Sequence, residues 1–181
     1  ITCGYGADET EITCGKGEWY DQHNAYLGYG PIVSRMMNVD YLLSSVSGIG
    51  MYRNWNNENQ EEANMPDVYQ NLYLDKNVNK PFSNDYQPDL VSICLGTNDL
   101  SEGDGIKNRV TFNEDKFISN YIEFVKMIYK KYPDTRIILL SSPMLSGEKH
   151  QLLINCLNKI KAEFNTDSTL KAIEIFQFKP M

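Results

Sequence analysis

Histidine is scarce in this chain: 181 residues hold only His23 and His150. The four cysteines, at positions 3, 14, 94 and 156, form no C-x-x-C pair. With so few histidines to join them, no metal site is expected. Basic residues do not cluster beyond Lys130-Lys131, and the formal net charge is −7. Nucleic acid and anionic membrane surfaces both demand clustered Lys and Arg, so neither is an expected partner. No apolar run approaches membrane-spanning length, and no signal peptide is visible. Internal repeats and low-complexity segments are also missing. No Gly-rich phosphate loop follows a visible strand, which ranks a nucleotide-binding reading last and leaves no cofactor expected.

What is present describes a globular chain. Its length fits one domain over residues 1–181, and an apolar content of 41% with 12% aromatics can fill a core. The stretch Pro88–Asp99, PDLVSICLGTND, organises the rest. Leu90, Val91, Ile93 and Leu95 read as a strand buried on both faces, as in a parallel sheet covered by helices. At its carboxyl end stand Gly96, Thr97, Asn98 and Asp99, where open α/β sheets bind ligands. The Asn98 amide offers two uncharged N–H donors, which suits a developing oxyanion. Thr-Asn-Asp also suits a plain turn cap, because Asn and Asp bond nearby backbone.

Strands and helices alternate along the chain, the mark of a parallel sheet. Strands are expected over residues 39–47, 90–95, 137–142 and 170–178. The spacing predicts a helix over 24–38, weakened by Gly28 and Gly30-Pro31, and a short helix opened by Pro66 and reaching Leu74. Asn113 caps an expected helix over 114–132 with Phe117, Tyr121, Phe124, Ile128 and Tyr132 down one side. A further helix over 147–165 buries Leu152, Leu153, Cys156, Leu157, Ile160 and Phe164. Cys94 and Cys156 read as small core hydrophobes. Cys3 and Cys14 flank a Gly- and acid-rich loop and could pair in an extracytoplasmic protein.

Three turns carry a family resemblance: ITCGYG at the amino terminus, SGIG at Ser47–Gly50, and GTND at Gly96–Asp99. Their order resembles the SGNH (GDSL-type) hydrolases. The longer strings YLGYGPIVSRMM, SGIGMYRNW, MPDVY and LGTNDLSEG are similar to carbohydrate esterase family 2, enzymes that remove acetyl groups from plant polysaccharides. The resemblance implies a flavodoxin-like three-layer αβα fold with a parallel sheet of order 2-1-3-4-5. It implies acyl transfer by a serine and a histidine, with an oxyanion held by the serine's own N–H, the Gly48 N–H and the Asn98 amide. A residue without a side chain at 48 lets that N–H approach the substrate.

The sequence departs from the family at both ends. The resemblance places the serine immediately before Ile1 and the histidine after Met181. The first strand and the last helix are then missing from this chain, a preceding jelly-roll domain is implied, and the chain alone is expected to be inactive. Neither His23 nor His150 matches the family position: the first reads as a helix-entry residue and the second as part of a solvated helix face. Tyr52, Arg53, Asn54 and Trp55 follow Gly48 and are candidates to line a sugar site, with an aromatic face on the pyranose ring. A surface loop with Trp55 covering a core edge explains them equally well. Trp19 fits a site rim or plain packing, and Asp99 reads as orienting its turn. The resemblance implies an acetylated polysaccharide or oligosaccharide substrate and a secreted or periplasmic address. A non-catalytic carbohydrate-binding module on the same fold is the competing reading.

Overall fold

The computed structural model describes residues 3–8, 16–18, 20–59, 61–76, 80–83, 85–169 and 171–180. The chain divides into two compact units, Ile1–Ser47 and Gly48–Met181. The proposed Cys3–Cys14 pair and Trp19 fall on positions 14 and 19, outside the described residues.

In the first unit, a 3-10 turn over Ala25–Leu27 leads into helix α1, Tyr29–Met37. Asn24 opens the turn, its side chain accepting from the Tyr26 N–H. Gly28 separates the two pieces, in keeping with the weakness expected there. Pro31 falls in the first helical turn, where its missing N–H has no partner to lose. Asn38 stops the helix in the left-handed conformation, with φ 51°.

The expected strand over 39–47 is not formed: the segment carries no ladder hydrogen bonds among the described residues. A strand is a pairing state, and β-branched composition cannot supply the partner. Val39, Tyr41, Leu42 and Val46 are all exposed.

Among its described residues the second unit holds three parallel strands: β1 (Leu90–Ile93), β2 (Arg136–Leu140) and β3 (Glu174–Phe176). They lie in the order β1-β2-β3, with Leu90 opposite Arg136 and Leu139 opposite Ile175. This is the expected run of third, fourth and fifth strands. Helix α3 (Glu114–Lys131) joins the first pair, and α4 (Gly147–Thr166) the second. The short α2, Met65–Val68, precedes them with Pro66 in its first turn. Asn64 and Asp67 close a capping box there, and the helix stops well before Leu74.

The core lies where α3 and α4 meet the sheet. Phe117, Tyr121, Phe124 and Ile128 of α3 cluster with Leu153, Cys156, Leu157, Ile160 and Phe164 of α4 and with Ile93, Ile137 and Leu139 of the sheet. Burying each large side chain is worth about 1.5–3 kcal/mol, so the i, i+4, i+7 stripe on α3 dominates its stability. The Asn113 side chain accepts from the Lys116 N–H at 2.9 Å and fixes the start of α3.

The reading of β1 as buried on both faces is corrected. Val91 and Ile93 turn inward, but Leu90 is 55% exposed and Ser92 is exposed too. Successive side chains in a strand point to opposite faces, and a four-residue apolar run does not reveal whether both are covered. Phe176 on β3 is also exposed, at 50%. His150 differs from its expectation as well. It is half-buried in the first turns of α4, and its Nδ1 is buried with no hydrogen-bond partner among the described residues.

Candidate active site

The turn after β1 and the loop Gly48–Glu58 build one polar constellation in the second unit. β1 ends at Ile93, so Gly96–Asp99 sits just past the carboxyl edge of the sheet. A bond from the Leu100 N–H to the Gly96 carbonyl, 3.0 Å, closes the turn. Two adjacent side chains of this turn then reach into the loop.

Asn98 donates from Nδ2 to the Ile49 carbonyl at 2.6 Å. An amide nitrogen carries two N–H groups, so one remains after this bond. The bond ties the Ile49 carbonyl, one residue past Gly48, to the Asn98 side chain. Gly48 has φ +80°, in the left-handed region where a side chain is strained. Its carbonyl accepts from the Trp55 N–H at 2.7 Å, which closes the loop on itself.

Asp99 is fully buried. Its Oδ1 accepts from the N–H groups of Met51, Tyr52 and Arg53 at 3.0, 2.9 and 3.2 Å, and Oδ2 takes a second bond from Met51 at 3.0 Å. Burial pushes this carboxyl up, while the backbone N–H groups, which favour the charged form, pull it back. Asp99 therefore holds the loop at residues 51–53, whereas the sequence reading has it orienting its own turn. The neighbouring Gly50 has no room for a side chain: a Cβ there would lie 2.0 Å from the Arg53 carbonyl oxygen and 2.9 Å from Asp99 Oδ2.

The four candidate sugar-site residues have different surroundings. Tyr52 is buried, and its hydroxyl accepts from the Asn113 N–H at 2.9 Å. Burial raises its phenol above the usual range. Arg53 donates from Nε to the Asp99 carbonyl at 2.6 Å, bonds the Val110 carbonyl and pairs with Glu58. Asn54 accepts from the Gly50 N–H at 3.0 Å and donates to Glu62 and to the Ala63 carbonyl. These three side chains hold the loop together. Trp55 alone presents its side chain outward, at 47% exposure.

Other nucleophile types near the strand ends are committed elsewhere. Burial pushes the Cys94 thiol up to about 11, so it stays protonated at neutral pH. Ser141 is buried, with its hydroxyl accepting from the Phe178 N–H at 2.8 Å. Ser142 accepts from the Met144 N–H at 3.1 Å.

Arg109 is a site residue that sequence reasoning missed. Its side chain is only 4% exposed, in a segment where nearly every neighbour faces solvent. The guanidinium bonds carbonyls of both the turn and the loop. Nothing in the local sequence marks it, since its partners lie up to 55 residues away.

Comparison with known proteins bears on the family and the fold. A model of the GDSL-like Lipase/Acylhydrolase family matches residues 1–168. An acetylxylan esterase/glucomannan deacetylase of Cellvibrio japonicus is 28% identical over 173 residues, covering 95% of this chain and 45% of that protein. Among solved structures, a family two carbohydrate esterase from Cellvibrio japonicus matches with TM-score 0.83 at 25% identity, over 99% of this chain and 49% of its own. One from Clostridium thermocellum, in complex with cellohexaose, matches with TM-score 0.82 at 24% identity, over 99% and 51%. These matches show the three-layer α/β fold with a parallel sheet. The chain spans less than half the length of the curated relatives it matches.

Proposed function

Because this chain belongs to the GDSL-like lipase/acylhydrolase family, we propose that it works, within its full-length polypeptide, as part of a serine esterase that removes acetyl groups from plant polysaccharide of the acetylxylan or glucomannan type. The observation that carries this reading is the 2.6 Å bond from Asn98 to the Ile49 carbonyl, which couples a side-chain donor past the end of a parallel strand to the backbone one residue after Gly48. In the proposed reaction a serine oxygen attacks the acetyl carbonyl and a histidine takes its proton. The tetrahedral oxyanion is then held by the Gly48 N–H and the free N–H of Asn98. Collapse expels the sugar hydroxyl, which receives the proton from the histidine. Water, activated by the same histidine, then releases acetate.

The serine and the histidine of this scheme come from residues outside Ile1–Met181. In support, the Cys94 thiol stays protonated, and the Ser141 and Ser142 hydroxyls are engaged with backbone. The same reading puts the substrate outside the cell and a jelly-roll domain ahead of this chain. Release of acetate from acetylated xylan by the full-length polypeptide, with none from residues 1–181 alone, is the expected result. Equal turnover by the two would place the nucleophile inside this chain. Saccharide binding by the full-length polypeptide without acetate release would favour the non-catalytic binding reading.

Trp55 is the proposed sugar platform, since it is exposed and adjoins Gly48 through its backbone. Trp55→Ala should raise KM for acetylated oligosaccharide roughly tenfold and leave KM for a small acetyl aryl ester nearly unchanged, as lost stacking worth ~1–2 kcal/mol predicts. Equal effects on both substrates would instead mean that Trp55 only covers the loop.

A further inference from the structure

We infer that Arg109 is a positioning residue for the oxyanion hole, acting through Asn98; the inference rests on the oxyanion reading above. Its guanidinium donates from Nη2 to the Asn98 carbonyl at 3.3 Å and from Nε to the Ser101 carbonyl at 3.2 Å. From Nη1 it reaches the Asn54 and Asn57 carbonyls at 3.1 and 3.2 Å, and it pairs with Glu58 at 3.0 Å. One planar group thus joins two main-chain oxygens of the turn that carries Asn98 to two of the loop that carries Gly48.

Arginine suits this place because it offers five N–H donors in a fixed fork and never loses its charge. Every oxygen it meets is an acceptor, and Glu58 balances the buried cation. Asn98 is therefore fixed at two points: its amide on the Ile49 carbonyl and its own carbonyl on Arg109. Releasing the second point lets the residue shift about its backbone. A displacement near 1 Å in a catalytic constellation lowers rate by up to ~10²-fold.

Asp99 works on the same loop with the opposite polarity. The carboxylate collects N–H groups of residues 51–53, whereas the guanidinium collects carbonyls of residues 54 and 57. The two side chains share no partner atom, so Arg109 can be altered while the Asp99 bonds stay in place.

The test uses the full-length polypeptide and an acetyl aryl ester, assayed well below the melting temperature measured for each variant. Arg109→Lys is the working variant because it keeps the charge beside Glu58, so the fold survives. A single ammonium cannot span four carbonyls. The expected result is a fall in kcat of about tenfold or more with KM within about twofold, and Arg109→Lys/Asn98→Ala no slower than Asn98→Ala alone. Wild-type kcat in Arg109→Lys would overturn the inference. So would a double variant slowed by the full product of the two single effects, since Arg109 would then act independently of Asn98. If Asn98→Ala itself keeps wild-type kcat, the oxyanion reading falls and takes this inference with it.

Discussion

Asn98→Ala in the full-length polypeptide is expected to lower kcat for an acetyl aryl ester by roughly 10²–10³-fold, the usual effect of removing one oxyanion donor. KM should change little, because the lost bond forms only as negative charge develops on the carbonyl oxygen. The folded state should tolerate the change. Asn98 is half-buried, and among the described residues the acceptor its amide satisfies is the Ile49 carbonyl, which keeps a second lone pair. Asn98→Asp removes the same donors at constant size and sets a carboxylate against the Ile49 carbonyl, so it should be at least as slow. A lowered melting temperature with kcat intact would show instead that Asn98 is only a turn cap.

Asp99→Ala should act on stability rather than on one kinetic step. It strips acceptors from the N–H groups of Met51, Tyr52 and Arg53, the first two in fully buried bonds. A buried donor left without a partner costs about 1–3 kcal/mol. Three together, with water relieving the outermost, should cost about 3 kcal/mol or more, a large share of a typical ~5–15 kcal/mol. For a chain of this size that corresponds to a fall in melting temperature of roughly 6–12 °C. Asp99→Asn should be milder, because one carbonyl oxygen can still accept from the loop. Thermal or urea unfolding of the two variants checks the order. An Asp99→Ala protein within 1 kcal/mol of wild type, on the scale of ordinary surface substitutions, would mean that the loop holds itself.

The parts legible in the sequence were those whose causes lie close together along the chain. Helix α3 announces itself by the spacing of Phe117, Tyr121, Phe124 and Ile128 and by Asn113 at its start, and the structure buries all four and uses the cap. Strands β1 and β2 were found for the same reason, although β1 is covered on one face only. The segment 39–47 has strand composition without strand structure, because pairing is decided by a neighbour that the segment does not contain. At the candidate site, the motifs marked Gly48 and Asn98 as expected oxyanion donors, a role that belongs to the proposal above. The roles of Tyr52, Arg53 and Asn54 were not readable, because their side chains answer to backbone atoms of Asn113, Asp99 and Gly50. Arg109 was hidden for the same reason, surrounded by exposed residues and bonded to main-chain carbonyls 8 to 55 residues away and to Glu58.

Asp99 and Arg109 grip the main chain of residues 51–57, not its side chains. Main-chain atoms are common to nearly all residue types, so the shape of this loop is largely independent of what its outward positions carry. Proline is the exception at 51, 52 and 53, where it would delete an N–H that Asp99 uses, and at 55, where it would delete the N–H that the Gly48 carbonyl takes. The loop is thus a fixed frame with an exchangeable wall. Substitutions other than proline at Trp55 would vary the outward face of the loop on an unchanged scaffold. The same diversity introduced at 98, 99 or 109 would scatter the frame itself.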